Sequence, residues 1–365
     1  MEYRTLALRT DRLVDAGLSR RTFLKRSLVV GAAVVGGPAL LSACSSAGAS
    51  PVASAQSFGT LDYRLSWILN AQFAGVYIAD TNGYYKAAGF SAVNLIPGGP
   101  TASPIESDVS TGHAFIAPSQ PDLTASAINK GAKLKIVAAL YQKNPFCILS
   151  LGRSPIPTPK DMIGKKIGVQ AANQVIWNAF LAANKIDASQ LTVVPVQFDL
   201  TPLTSGQVDG WFAFYNNEPV QMASQGYQTT TFLLADYGYP LSSQTYIVTD
   251  ANLQSNRARI KAFLKAEIQG WTKAFADPGL GAQLDVTKYG KSLGLNLKEQ
   301  TAEVVATKAL AITAETQKNG LMSMSDALIG ENIDTLGRSG IKITAAQLFD
   351  SSVINEVYKE NPSLL

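Results

Sequence analysis

The chain is poor in the side chains on which many enzymes and metal proteins depend. Histidine occurs once, at His113, and cysteine twice, at Cys44 and Cys147. One imidazole and two thiols are too few for a His- or Cys-based zinc or iron centre, so no metal and no other cofactor is expected. A Cys–His or Ser–His catalytic pair would have to use His113. Cys147 sits in the apolar run Phe146-Cys147-Ile148-Leu149 and reads as a buried, inert thiol. The apolar stretch Leu28–Leu41 is too short to span a bilayer: it is about 14 residues long and rich in Gly and Ala, and a spanning helix takes about 20. The body of the chain also lacks an excess of either charge. The whole sequence is +4, but Met1–Cys44 holds seven Lys/Arg and three Asp/Glu, which leaves 24 of each sign in the rest. A neutral body argues against nucleic acid, where clustered basic residues supply the affinity.

The N-terminus carries an export signal. Ser19-Arg20-Arg21-Thr22-Phe23-Leu24-Lys25 has the twin-arginine pattern, an apolar region follows, and Leu41-Ser42-Ala43-Cys44 has the form of a lipobox. Cys44 is the expected lipidation site and first mature residue. That would tether the protein to the outer face of the cell membrane and leave Cys147 without a disulfide partner. Residues 45–60 are Ser-, Ala-, Gly- and Pro-rich and read as a flexible tether.

Short apolar runs then alternate with amphipathic stretches. Strands are expected at Leu61–Trp67, Ala92–Ile96, Ala114–Ala117 and Leu134–Leu140. A second series falls at Cys147–Leu151, Lys166–Gln170, Thr192–Val196, Gly210–Phe214 and Thr231–Leu234. Helical patterns lie between them, including Ala74–Lys86, Ile105–Thr111 and Gln174–Ala183. Strands spaced by helices imply βα units and mostly parallel sheets. After Ile247 helical patterns dominate, with Ile260, Phe263, Leu264, Ile268, Trp271 and Phe275 at helical spacing. The pattern predicts an α/β protein of two lobes. Lobe 1 would be residues 61–143 plus 246–365, with the C-terminal helices packed on it, and lobe 2 residues 144–245.

The run from Leu61 to Ala79 resembles the opening of the thiamine-pyrimidine-precursor group of periplasmic binding proteins, which includes riboflavin receptors and is related to sulfonate, taurine and nitrate receptors. The match continues through Gly83–Phe90, Pro97-Gly98-Gly99, Pro159–Val169, Gly206–Gly210 and Asn217-Glu218-Pro219. The resemblance implies a type II-like periplasmic-binding-protein fold with mixed sheets. It also implies a monomeric receptor that hands a small solute to an ABC permease and its ATPase. The same fold hosts an enzyme that makes the thiamine pyrimidine by consuming its own histidine, with iron and a cysteine cluster. Phe73 stands where that histidine would be, and the chain has no cysteine cluster, so no catalysis is expected.

In such folds ligands sit beyond the carboxyl ends of the strands. Trp67 offers a flat aromatic face there, with Asn70, Gln72 and Phe73 close behind it in sequence. Ser119 and Gln120 end another strand, and Asn173 and Gln174 open the helix after Val169. Glu218, next to Tyr215 and before Pro219, can accept hydrogen bonds from an amino-heterocycle. A carboxylate there would repel nitrate or a sulfonate, so the expected ligand is a small planar heterocycle. A sulfonate-type solute is the alternative.

Overall fold

The computed structural model describes residues 56–365 apart from 100 and 198. The export signal with Arg20 and Arg21, Cys44 and most of the tether therefore lie outside the described residues. Among the described residues no helix is long and apolar enough to cross a membrane.

Among the described residues ten strands form two arrays with one plan. In the first, β1 (Gly59–Arg64) pairs in parallel with β2 (Phe90–Ile96). A single parallel bridge, Tyr63 to Ile116, leads on to β3 (Ala117–Ser119). The last strand, β10 (Ser243–Thr249), lies antiparallel between β3 and β4 (Leu134–Tyr141). The spatial order is thus β2, β1, β3, β10, β4. The second array is one five-stranded sheet of β5 (Phe146–Leu151), β6 (Lys166–Gln170), β7 (Thr192–Val196), β8 (Gly210–Phe214) and β9 (Thr229–Leu233), in the order β7-β6-β8-β5-β9. Here β5 is the antiparallel member, against β8 and β9. In each array the antiparallel strand is the one the chain enters directly after crossing from the other array.

Three sequence expectations need correction. The helix expected over Ala74–Lys86 stops at Thr81 and restarts at Tyr84, because Gly83 takes a left-handed turn at φ +72°. The third strand lies at Ala117–Ser119 rather than Ala114–Ala117. Strand β10 is not foreseen from the sequence, because four of its seven residues are polar although nearly all are buried.

Alternation builds the first core: Leu61, Tyr63 and Leu65 on β1 and just beyond it are all buried. The long helix Arg257–Ala276 packs against Ala74–Thr81 at very close range. A Cβ at Gly75 would meet the Trp271 ring at 2.3 Å, and one at Gly270 would meet the Gly75 carbonyl at 2.2 Å. The helical C-terminal region also reaches the loop after β8 and the segment that leads into β10. Asn216 Nδ2 donates to Thr307 Oγ1 at 2.7 Å, and Ser242 N donates to Asn332 Oδ1 at 2.9 Å.

Candidate functional site

One cavity of about 440 Å³ lies between the two arrays, within the size range of small-ligand sites. Its position follows from topology. Arg64 ends β1 and Ser66 and Trp67 follow it, Gly99 and Ala102 follow β2, and Ser119 ends β3 with Gln120 next. On the other side Gln170 ends β6, Phe214 ends β8, and Asn173 and Glu218 follow those strands. Each antiparallel strand begins where its parallel neighbours end. The first residues of β5 and β10, namely Phe146, Ser243 and Gln244, therefore reach the same cavity.

The wall from the first array is polar. Trp67 is half-buried, and its carbonyl accepts from Gly98 N at 2.7 Å. A side chain at Gly98 would collide with the Ser66–Trp67 backbone at 2.7 Å, so this turn requires glycine. Ser66 Oγ is a hub, accepting from Gln72 Nε2 at 3.2 Å and Gln244 Nε2 at 3.1 Å. Gln244 is held at φ +47°, a strained backbone for a residue with a Cβ. The neighbouring Ser243 hydroxyl is buried with no hydrogen-bond partner. Arg64 is committed elsewhere: its Nε donates to Asp108 Oδ2 at 2.8 Å and its Nη2 to the Ser103 carbonyl at 3.2 Å. Glu106 accepts from the Ser119 hydroxyl and from Thr124 Oγ1 at 3.4 Å, and burial pushes its carboxyl above the usual range.

The opposite wall is aromatic with one carboxylate. Phe146 lies 4.8 Å from Phe212 and 5.1 Å edge-on from Phe214, measured between ring centroids. Gln170 Nε2 donates to the Phe212 carbonyl at 3.1 Å, and Asn173 Nδ2 donates to Gln170 Oε1 at 3.0 Å. Glu218 Oε2 accepts from Phe214 N at 2.8 Å. The surface that Glu218 keeps faces the cavity, and desolvation raises its pKa to about 7.

Six of the residues singled out in the sequence thus meet at one cavity: Trp67, Gln72, Ser119, Gln120, Asn173 and Glu218. Four are placed elsewhere. Asn70 is buried behind the Trp67 turn, with Nδ2 on Glu303 Oε1 at 2.9 Å. Phe73 is buried in the first core. Gln174 is exposed and donates to Asn178 at 2.8 Å, while Tyr215 packs between core clusters. His113 is exposed and away from the cavity, and Cys147 is fully buried with its thiol pushed up by desolvation and then by Glu218. The sequence reading passed over Arg64, Ser66, Glu106, Gln170, Ser243, Gln244 and the three phenylalanines. Ser66 and Gln170 sit at the ends of expected strands, and the strand-end rule applied evenly would have included them, whereas Glu106 lies in the first turn of helix Ile105–Ser110, well past β2.

The family described as NMT1/THI5 like matches residues 70–280. The riboflavin-binding protein of Chloroflexus aurantiacus is 27% identical over 226 residues, 59% of this chain and 62% of that protein, so the match spans less than two thirds of that relative. The formylaminopyrimidine-binding protein of Halalkalibacterium halodurans is 25% identical over 224 residues, 60% of this chain and 67% of its own. Among solved structures, the periplasmic aliphatic sulphonate-binding protein of Escherichia coli superposes with TM-score 0.57 at 15% identity, covering 83% of this chain and 88% of its own. A desulfurization enzyme shares the architecture with TM-score 0.54 at 13% identity, over 83% of this chain and 99% of its own. The fold is therefore the α/β periplasmic-binding-protein fold, with mixed sheets and a helical C-terminal region, and both sequence relatives bear the names of binding proteins.

Proposed function

The chain belongs to the NMT1/THI5-like family, and we propose that it is the substrate-binding lipoprotein of an ABC importer, capturing a small planar heterocycle and performing no reaction. The observation that carries this reading is the cavity itself, where an aromatic face at Trp67 and a carboxylate at Glu218, without an ion-pair partner among the described residues, stand on opposite walls. Two lobes, 61–143 with 246–365 and 144–245, close on the solute. Membership of β1–β4 in one array and β5–β9 in the other supports that division, although β10 (Ser243–Thr249) of the first array begins three residues before the boundary at 246. Closure excludes water and strengthens each polar contact to the ligand, and the closed monomer docks on the permease. The relatives' names, riboflavin-binding and formylaminopyrimidine-binding, support an aromatic heterocycle with amino or ring-nitrogen edges.

A sulfonate-type ligand is disfavoured by charge. Among the described residues the cationic side chain lining the cavity is Arg64, which Asp108 already neutralises. The histidine-consuming synthase reading is disfavoured because Phe73 occupies the relevant position and is buried in the core. Upstream, Arg20 and Arg21 direct export and lipid on Cys44 holds the receptor at the outer face of the cell membrane. Labelling with radioactive palmitate, present on the native protein and lost in Cys44→Ala, tests the anchor. Native mass spectrometry of protein purified from its own host tests the ligand class: a retained heterocycle supports the reading, and a retained sulfonate overturns it.

A further inference from the structure

The cavity holds two carboxylates on opposite walls. Glu106 lies in the first turn of helix Ile105–Ser110, after β2, and Glu218 opens helix Glu218–Ser224, after β8 of the five-stranded sheet. Neither takes part in an ion pair among the described residues. The groups that hold them are neutral donors: the Ser119 and Thr124 hydroxyls for Glu106 and the Phe214 N–H for Glu218. Arg64, on the same wall as Glu106, offers no compensation, because Asp108 takes its Nε at 2.8 Å. When both are ionised, the cavity carries an uncompensated negative charge on each side.

We propose that Glu106 is a specificity-determining residue that acts with Glu218 as a two-sided carboxylate clamp, selecting heterocycles with hydrogen-bond donors on two separate edges and rejecting anions. The inference rests on the receptor reading above and narrows its ligand class to diamino or ring-protonated amino-heterocycles. Hydrogen bonds to a charged acceptor are about twice as strong as neutral ones, and an enclosed carboxylate with too few donors is costly. A ligand with one donor edge completes one carboxylate and leaves the other bare. A ligand with two completes both. Closing the walls on anything less gathers like charges in a water-poor space, where their repulsion is least screened.

Calorimetry at pH 8 with two probes, 2,4-diaminopyrimidine and 4-aminopyrimidine, tests this on the native protein, Glu106→Gln and Glu106→Asp. The native protein is expected to prefer the diamino probe by about 10- to 100-fold. Glu106→Gln should abolish that preference from both sides, weakening the diamino probe and, with the bare charge gone, strengthening 4-aminopyrimidine. Glu106→Asp, which keeps the charge but retracts it, should retain part of the preference, and it serves if Glu106→Gln does not fold. A preference unchanged in either variant overturns the clamp and leaves the receptor reading intact. Equal weakening of both probes makes Glu106 structural and also overturns the clamp. No binding of either probe to the native protein sinks the receptor reading for aminopyrimidines and the clamp with it.

Discussion

Two carboxylates in this molecule are raised to about the same pKa by burial and put to different use, one fully buried and one keeping surface at the cavity. Glu267, in the core between the long C-terminal helix and the first array, accepts from the Tyr85 hydroxyl, from Tyr246 Oη at 2.7 Å and from Trp271 Nε1 at 3.2 Å. Glu218, at the cavity, accepts from the backbone N–H of Phe214 at 2.8 Å. Burial raises both to about pKa 7. The core carboxylate has a complete set of donors, as folded interiors require, whereas the cavity carboxylate has room for more. The difference separates a group that serves the fold from one that serves a ligand.

The largest effect expected of that contrast is on folding. Glu267→Ala strips three donors of their acceptor and leaves a void, so chemical denaturation should show a loss of about 3–5 kcal/mol. A loss no larger than that of Glu218→Ala would erase the distinction. Next in size is the aromatic face of the cavity. Trp67→Ala removes the stacking surface and should weaken binding of 4-aminopyrimidine by roughly 5- to 150-fold in calorimetry, or about 1–3 kcal/mol. Unchanged affinity would return Trp67 to a packing role.

A smaller effect concerns pH and sharpens what the two carboxylates share. Their folded pKa values, about 7, lie above the ordinary value near 4.5, and Asp122 is likewise raised to about 6 by burial. The unfolded chain then loses its protons first as pH rises. The stability they contribute is fully present below their ordinary pKa, 4.5 for the glutamates and 3.8 for Asp122, and is lost as pH rises towards about 7 and about 6 respectively, by up to about 1.4 kcal/mol per pH unit for each group within its window. Thermal unfolding of the ligand-free protein should therefore occur at lower temperature at pH 8 than at pH 5.5. In Glu267→Gln the fall should be shallower, and an identical slope would argue against a raised Glu267. The smallest effect is expected at Gln174, which bonds Asn178 on the surface. Gln174→Ala should change affinity by less than about 2-fold, and a larger loss would mean that the cavity wall extends along that helix.

Much of the architecture was legible because its causes are local. The Leu61, Tyr63, Leu65 alternation marks β1, and the helical spacing from Ile260 to Phe275 marks the long helix. Strand β10 was not legible: Ser243-Gln244-Thr245 are polar, and they are strand only because β3 and β4, over 100 residues earlier, flank them. The site divides the same way. Residues just past parallel strands could be read from the strand ends, whereas Phe146, Ser243 and Gln244 reach the cavity through antiparallel strands whose pairing is long-range. Asn70 shows the reverse. It belongs to the same turn as Trp67, but its side chain faces Glu303, a partner 233 residues away that local sequence does not reveal.

The most direct test of the account is Glu218→Gln, read at pH 8 for folding and for binding of 4-aminopyrimidine together. The account predicts an unfolding free energy within about 1 kcal/mol of native, because an amide still accepts from Phe214 N, alongside affinity reduced by about 10- to 100-fold. Native affinity for 4-aminopyrimidine in Glu218→Gln, or a sulfonate such as taurine bound equally well by both proteins, would contradict it.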